Sequence, residues 1–132
     1  MITKDLRTNS HDEFVNITGA VQEAVTKSGL TSGIATVYVS HTTAAVTINE
    51  NADPDVRHDM TYILDKLVAW KDPEYRHGEG NTAAHVKASL MGSSVQVIVE
   101  KGKLQMGTWQ GIYFCEFDGP RQRKFRVQVL GV

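Results

Sequence analysis

The chain contains a single cysteine, Cys115, among 132 residues. One cysteine excludes an intrachain disulfide, so a domain of this length must be held together by its core. Cys115 lies in the aromatic run IYFCEF, which indicates a small packed core residue. A reactive thiolate is the alternative, but no cationic neighbour in the sequence would lower its pKa.

Long apolar segments are also absent. No run approaches the 18 or more residues of a membrane-spanning helix, and the amino terminus, MITKDLRTNSHDE, lacks the apolar stretch of a signal peptide. We therefore expect a cytoplasmic protein with no membrane partner. The formal net charge is only -1, from 14 Lys and Arg against 15 Asp and Glu. This balance gives no reason to expect a nucleic-acid partner, so any anion binding must be local.

The length and the patterning predict one domain over residues 1–132 of the α+β class, with a mostly antiparallel β-sheet and helices gathered on one side. Alternating or β-branched runs indicate strands, and 3.6-residue spacing indicates helices. The predicted strands are 2–7, 13–18, 33–40, 44–49, 95–100, 112–117 and 124–130, and the predicted helices are 19–29, 53–70 and 82–91.

Two expectations concern packing. Strands 33–40 and 44–49 are close enough in sequence to form a hairpin through His41-Thr42-Thr43. Asp53-Pro54 predicts a helix start, since a capping side chain precedes a proline at the first helical position. The apolar residues of this helix should pack on the sheet. They are Val56, Met60, Ile63, Leu64, Leu67 and Val68.

Three histidines are candidate ligands. His41 ends a predicted strand, His77 lies in a glycine-containing loop, and His85 lies one turn inside the next helix. Taken singly, each is best explained as a surface or hydrogen-bonded residue, because the spacing matches no compact metal motif. Three imidazoles from different elements could nevertheless converge on one divalent cation, with a carboxylate in or around the shell.

Glu50 is the neighbouring carboxylate without an identifiable structural role. Asp53 is explained as the helix cap, and Asp59 would lie at the edge of the buried helix face. Glu50 directly follows a predicted strand and caps nothing. It is therefore the candidate that would complete or orient a metal shell.

The loop HGEGN offers an anion site. Gly78 and Gly80 let backbone N–H groups approach a ligand, and the helix that starts near Asn81 would present its positive end. A phosphate or pyrophosphate would fit there. The alternative is a plain flexible loop, because the stretch lacks the lysine of a phosphate-loop motif.

Two later motifs carry further candidates. GTWQG places Trp109 and Gln110 between two glycines, which permits either ligand contact or close packing. Arg121 follows the turn DGP beside the aromatic strand and could meet an anionic ligand. The basic residues after it are better explained as charges that protect an edge strand from aggregation. They are Arg123, Lys124 and Arg126.

Four long motifs together resemble the YjbQ-like family (UPF0047), described as secondary thiamine-phosphate synthase enzymes. They are SHTTAAVTINENADPDVRHDM, HGEGNTAAHVKASLMGSS, GTWQGIYFCEFDGPR and the closing KFRVQVLG, and the similarity runs from about Thr3 to Gly131. The resemblance implies an α+β fold with a sandwich-like or barrel-like sheet, assembly as a homotrimer, and a pocket built from the polar motifs.

The resemblance also implies roles for individual residues. His41, His77 and His85 would form the site, around a divalent metal such as zinc or magnesium. His85, Glu50 and Arg121 would be catalytic. The residues that would bind substrate are Asn51, Gly80, Asn81, Trp109 and Gln110.

Three functions remain open at this point. The first is an enzyme that joins hydroxymethylpyrimidine diphosphate to thiazole phosphate and releases pyrophosphate. The second is a metal-dependent hydrolase with a three-histidine site and Glu50 as general base. The third is a non-catalytic trimer that binds a small phosphorylated metabolite.

Overall fold

The computed structural model describes all 132 residues and contains three helices and eight strands. The strands are β1 (Ile2–Arg7), β2 (Glu13–Asn16), β3 (Ser32–Tyr38), β4 (Ala44–Glu50), β5 (Ser94–Glu100), β6 (Lys103–Leu104), β7 (Gln110–Glu116) and β8 (Gln122–Gly131). The helices are α1 (Thr18–Ser28), α2 (Pro54–Leu67) and α3 (Thr82–Met91). None of these helices has the length and the apolar character that crossing a membrane requires. The predicted α+β class is confirmed.

The strands form two sheets. One has five strands in the order β1-β8-β3-β5-β6, and the other has three in the order β2-β7-β4. All neighbouring strands are antiparallel, as predicted. The predicted hairpin is wrong, because β3 lies in the five-stranded sheet and β4 in the three-stranded sheet. The segment containing His41 therefore crosses from one sheet to the other. The two strands have similar apolar patterns because both face the same core, although they do not hydrogen-bond to each other.

The main core lies between the two sheets and α1. Buried apolar side chains from β3, β5 and β8 meet side chains from β4 and β7, and α1 adds Val21 and Ala24. α1 ends at Gly29, whose φ of 70° lies in the left-handed region that suits glycine. This arrangement is the sandwich-like sheet that the resemblance implied.

The other face of the three-stranded sheet is covered by helices. Ala45, Cys115 and Phe117 pack with Leu64 of α2 and with residues of α3. Both faces of this sheet are thus buried, which explains why β7 shows almost continuous burial in place of alternation. Cys115 is fully buried, and burial raises the pKa of its thiol, so the predicted core role is confirmed.

α2 begins as predicted but packs less than predicted. The Asp53 carboxylate accepts a hydrogen bond of 2.9 Å from the Asp55 amide, and Pro54 follows at the first helical position. Leu64 is the helix residue that is buried. Ile63 and Leu67, expected on the sheet, are 52% and 72% exposed. The helical spacing identified the stripe correctly, but only one edge of the stripe faces the sheet.

A buried ion pair joins the two sheets. Glu116, at the end of β7, is fully buried and pairs with Arg123 of β8, which is 4% exposed. Thr8 donates its hydroxyl proton to the Glu116 carboxylate over 2.8 Å, and Arg123 donates to the Thr43 hydroxyl over 2.9 Å. The prediction that Arg123 protects an edge strand is therefore wrong. β8 lies between β1 and β3, and the alternation of the strand turns Arg123 inward.

The pKa of Glu116 is lowered although the side chain is buried. Burial alone would raise it, but hydrogen bonds from Arg123 and Thr8 and from the Asp118 amide outweigh that effect. A carboxyl group whose folded pKa lies below its unfolded pKa adds stability at pH values above the unfolded pKa. That stability is lost as the pH falls through the folded pKa.

We predict that Arg123→Met lowers the free energy of unfolding by about 3–5 kcal/mol, because it leaves the Glu116 charge buried without a partner. The measurement is urea denaturation at neutral pH. Lys124→Met, at the exposed neighbouring position, should change stability by less than about 0.5 kcal/mol. The double variant Glu116→Gln/Arg123→Met should be more stable than Arg123→Met alone. Equal stability of Arg123→Met and the wild type would contradict this account.

Candidate functional site

The predicted site residues lie at two ends of the three-stranded sheet. β4 and β7 pair along their length, with Ala44 opposite Glu116 at one end and Glu50 opposite Gln110 at the other. Six residues of strand separate Ala44 from Glu50, a span of about 20 Å at ~3.3 Å per residue. We call His41, His77 and His85 with their neighbours the histidine cluster. Glu50, Asn51, Trp109 and Gln110 form the Glu50 cluster.

The centre of the histidine cluster is a pair of imidazoles. His77 comes from the loop before α3 and His85 from the second turn of α3, and their ring centroids are 5.2 Å apart in an edge-to-face arrangement. With Thr82 they line an open cavity of about 260 Å³. His85 also lines a larger neighbouring cavity of about 510 Å³, together with His41 and Ser89. The structure thus places the three histidines around adjoining cavities.

His41 is held by the backbone. The Lys124 amide donates to His41 Nε2 over 3.0 Å, so the neutral ring carries its proton on Nδ1. Burial lowers the pKa of His41, and the positive charge of Arg123 lowers it further. At neutral pH, His41 is therefore uncharged, and its Nδ1 proton remains available for a hydrogen bond.

The predicted three-histidine metal shell does not form within one chain. No three His, Cys, Asp or Glu side chains are grouped with the spacing of metal ligands. His41 is also unsuited to metal ligation, because its Nε2 lone pair already accepts a hydrogen bond from the Lys124 backbone amide. His77 and His85 remain as two imidazoles close enough to share one cation.

Asp118, which the sequence indicates only as part of a turn, connects the two anion-site candidates Asn81 and Arg121. Its carboxylate accepts from the Asn81 amide over 2.8 Å and from the Arg121 guanidinium over 3.0 Å. Arg121 Nε donates to the Asp118 carbonyl over 2.9 Å. The Asn81 side-chain oxygen is buried without a hydrogen-bond partner. The Asp118 carboxylate thus holds Arg121 close to the start of α3.

The Glu50 cluster forms a second, separate surface. Glu50, Trp109 and Gln110 line an open cavity of about 280 Å³ with Ile48 and Asn49. The Trp109 side chain is 64% exposed, so the indole is not a core residue. At Gly111 an added Cβ would lie 3.0 Å from the Asn51 side chain, so a larger residue would have to displace that side chain. The glycine is explained by this close approach.

Asn51 is fixed by residues that the sequence analysis missed. Its side-chain oxygen accepts from Asn16 over 2.7 Å and from the Tyr113 hydroxyl over 3.2 Å. Arg57 donates to the same hydroxyl over 2.8 Å and lies over the Tyr113 ring. These bonds leave the Asn51 amide nitrogen as a positioned donor. No spacing pattern could have identified Asn16, which comes from another strand.

Within one chain, Glu50 therefore does not reach the histidines. The sequence analysis placed Glu50, Asn51, Trp109 and Gln110 in one pocket with His41, His77 and His85. Within one chain, β4 holds the two groups at its opposite ends, so a pocket that contains all of these residues has to form between chains. Gly80, Asn81 and Arg121 belong to the histidine end, through the start of α3 and Asp118.

We predict that His41 titrates below the ordinary histidine value of about 6.5 and is neutral on Nε2 at pH 7. Two-dimensional ¹H–¹⁵N NMR of the imidazole nitrogens measures both quantities. The control is Lys124→Met. Lys124 contacts His41 through its backbone amide and its side chain is exposed, so this change should leave the His41 pKa unchanged. A protonated His41 at pH 7, or a proton on Nε2, would overturn the assignment.

Comparison with known proteins shows relatives over almost the whole chain. Residues 3–132 match the family model described as UPF0047 protein YjbQ-like. The UPF0047 protein YugU of Bacillus subtilis is 52% identical over 129 residues, covering 98% of this chain and 98% of that protein. A UPF0047 protein of Methanocaldococcus jannaschii is 49% identical, covering 96% of this chain and 91% of that protein.

Solved structures agree with the sequence relatives. A YjbQ/UPF0047 family protein of Clostridium acetobutylicum is 55% identical with a TM-score of 0.96, covering 98% of this chain and 100% of that chain. A conserved hypothetical protein of Thermus thermophilus is 38% identical with a TM-score of 0.92, covering 98% of this chain and 100% of that chain. By sequence and by fold, the chain belongs to the YjbQ-like UPF0047 family.

Proposed function

We propose that the protein is an enzyme of the secondary thiamine-phosphate synthase type, with the histidine cluster as its site for the diphosphate group. Two observations carry this proposal: His77 and His85 form a pair beside the first turns of α3, and Asp118 binds both Asn81, at the start of that helix, and Arg121. These groups combine cation ligands, amide groups and a guanidinium. Such a combination suits a phosphorylated small molecule better than a neutral one.

Anion binding is supported by the local backbone and by charge. α3 has no acidic residue in its own first turn, and the carboxylate at its start, Asp118, is itself paired with Arg121. Gly80 adopts a φ of 72° immediately before Asn81, which turns the chain into the helix. The first amide groups of a helix have no partner within the helix and point toward a ligand. Arg121 is half-exposed and remains able to meet a phosphate.

A divalent cation would fit between His77 and His85. Two imidazoles at this separation are a partial ligand set, and phosphate oxygens or water would supply the other ligands. When bound, the cation would neutralise charge on the departing pyrophosphate. His41 would act from the neighbouring cavity as a neutral hydrogen-bond donor, not as a ligand.

The proposed reaction needs orientation more than acid–base chemistry. The thiazole nitrogen forms a bond to the methylene carbon of the pyrimidine as the carbon–oxygen bond to the diphosphate breaks. Pyrophosphate leaves with that electron pair. Arg121 and the α3 amides would stabilise the developing negative charge, and Asp118 would keep Arg121 and Asn81 in place. The native substrate pair can differ in its ring substituents without changing this role.

The hydrolase alternative is not favoured in a single chain. It needs three histidines around the metal and Glu50 as general base, but the ends of β4 hold these groups about 20 Å apart. A non-catalytic binding protein would use the same anion groups. Turnover in the experiments below separates that function from the enzyme. We also propose the homotrimer that the family resemblance implies.

We predict that Zn²⁺ binds the wild-type protein and that His77→Ala/His85→Ala lowers the affinity at least tenfold, because two nitrogen ligands are lost. Isothermal titration calorimetry with ZnCl₂ measures the affinity. His58→Ala removes an exposed histidine outside the cluster and should bind Zn²⁺ as the wild type does. Unchanged affinity in the double variant would exclude these two residues as the ligands.

We predict that His85→Ala abolishes formation of thiamine phosphate from the two phosphorylated precursors, while thermal unfolding stays close to that of the wild type. His85 is only partly buried in α3, and alanine favours helices, so folding should persist. Arg121→Ala should lower turnover at least tenfold, since it loses a charge-assisted contact to the leaving group. Lys124→Ala is the matched exposed control. Wild-type product formation by His85→Ala would remove His85 from the mechanism.

A further inference from the structure

Each of the two clusters lacks what the other contains. The histidine cluster has three imidazoles, but no carboxylate and no aromatic ring other than histidine lines its cavities. The Glu50 cluster has a carboxylate and an exposed indole, but no cation lines its cavity. A ligand with a heteroaromatic ring and a phosphate needs both kinds of group.

The helices beside the histidine cluster expose an apolar surface. Large apolar side chains of α2 and α3 remain 40–72% exposed on the helical layer. They are Tyr62, Ile63, Leu67, Val86 and Leu90. Apolar side chains exposed next to one another indicate a surface that packs against another molecule. A second exposed apolar group, Ile34, Ile98 and Leu130, lies on the five-stranded sheet. α2 buries one residue of its 14, so its outer side has no partner within the chain.

α2 also connects the two clusters. Its first residues follow Asn51 and Asp53 at the Glu50 end. Its later residue Leu64 packs with Ala84 and Ala88 beside His85. The exposed apolar surface therefore borders the histidine cluster, while the Glu50 cluster with its exposed Trp109 lies at the far end of the same helix. The chain carries two unlike, complementary ends.

We propose that a second copy of this chain covers this surface and places its Glu50 cluster on the histidine cluster of the first copy. The ligand site is then formed between two chains. Histidines and Arg121 come from one copy, and Glu50, Asn51, Trp109 and Gln110 come from the next. In a head-to-tail contact of this kind, each copy still has one free end that can bind a further copy. When the last copy binds the first, the chains form a closed ring. The two ends are chemically complementary, which supports a second copy as the occupant: one end carries a partly exposed carboxylate, and the other carries imidazole rings and the half-exposed cation Arg121.

This inference deepens the proposed function and rests on it for the nature of the ligand. In the composite site, Trp109 stacks on the heteroaromatic ring while the histidine cluster of the other copy holds the phosphate. The Asn51 amide nitrogen, positioned by Asn16 and Tyr113, donates to the ring. Arg57 supports this arrangement through Tyr113 and acts as a positioning residue.

Crosslinking between two variants, each with one added cysteine, tests the contact without reference to activity. Ser89→Cys lies beside His85, and Thr108→Cys lies beside Trp109, both at exposed positions. The native Cys115 is fully buried and stays unreactive. A short bismaleimide, reaching roughly two side-chain lengths, should link the mixed variants into a dimer after subunit exchange. Each variant alone should yield little dimer.

Two controls show whether the crosslinked dimer arises from a specific contact between chains. Lys27→Cys, on the exposed side of α1, mixed with Ser89→Cys measures crosslinking by random collision. The double variant Ser89→Cys/Thr108→Cys, diluted into an excess of wild-type chains, measures crosslinking within one chain. Dimer formation by the Ser89→Cys and Thr108→Cys mixture above the collision control supports the composite site. A yield equal to that control, or a link within one chain, overturns it.

Complementation of activity is the second measurement. His85→Ala and Trp109→Ala should each be inactive. In an equal mixture of the two variants, about a quarter of the contacts combine an intact His85 with an intact Trp109, so the mixture should recover about a quarter of wild-type turnover. No recovery despite confirmed subunit exchange would place both groups in one chain. If the wild type itself makes no thiamine phosphate, the proposed function fails, while the crosslinking result still decides the composite site.

Discussion

The buried carboxylate of Glu116 is the point on which both the fold and the site depend. It receives hydrogen bonds from Arg123, Thr8 and the Asp118 amide, so it joins the first strand, the last strand and the turn between β7 and β8. A buried charge of this kind is tolerated only when its oxygens are fully paired. Burial lowers the pKa of His41, and the positive charge of Arg123 lowers it further. Asp118, fixed by this carboxylate, in turn holds Asn81 and Arg121.

The three-stranded sheet determines where chemistry can occur. Both of its faces are covered, one by the five-stranded sheet and the other by α2 and α3. Polar side chains can therefore emerge only at the ends of β4 and β7. The two clusters lie at those ends, and the strand between them is apolar scaffold. The distance between the clusters follows from the length of a strand that is needed to fill the core, not from the chemistry.

This geometry changes the meaning of the stretch from Val37 to Asp59. In sequence, His41 and Glu50 are nine residues apart and look like parts of one pocket. In the fold, β4 separates them, and the chain offers two surfaces that are chemically complementary. An assembly of identical chains is the simplest arrangement that reunites them. The exposed apolar layer on α2 and α3 is consistent with such an assembly.

Local sequence patterns determined much of this protein. Helix starts such as Asp53-Pro54, the stop at Gly29 and the apolar alternation of the strands depend on neighbouring residues, and they appear in the structure as predicted. Family membership was equally readable, because long motifs survive in order along the chain. Tertiary structure alone decided that β3 and β4 belong to different sheets, that Arg123 is buried against Glu116, and that His41 Nε2 accepts a hydrogen bond from the Lys124 amide. These features depend on contacts between residues distant in sequence, and no local pattern specifies which distant strand will supply the partner.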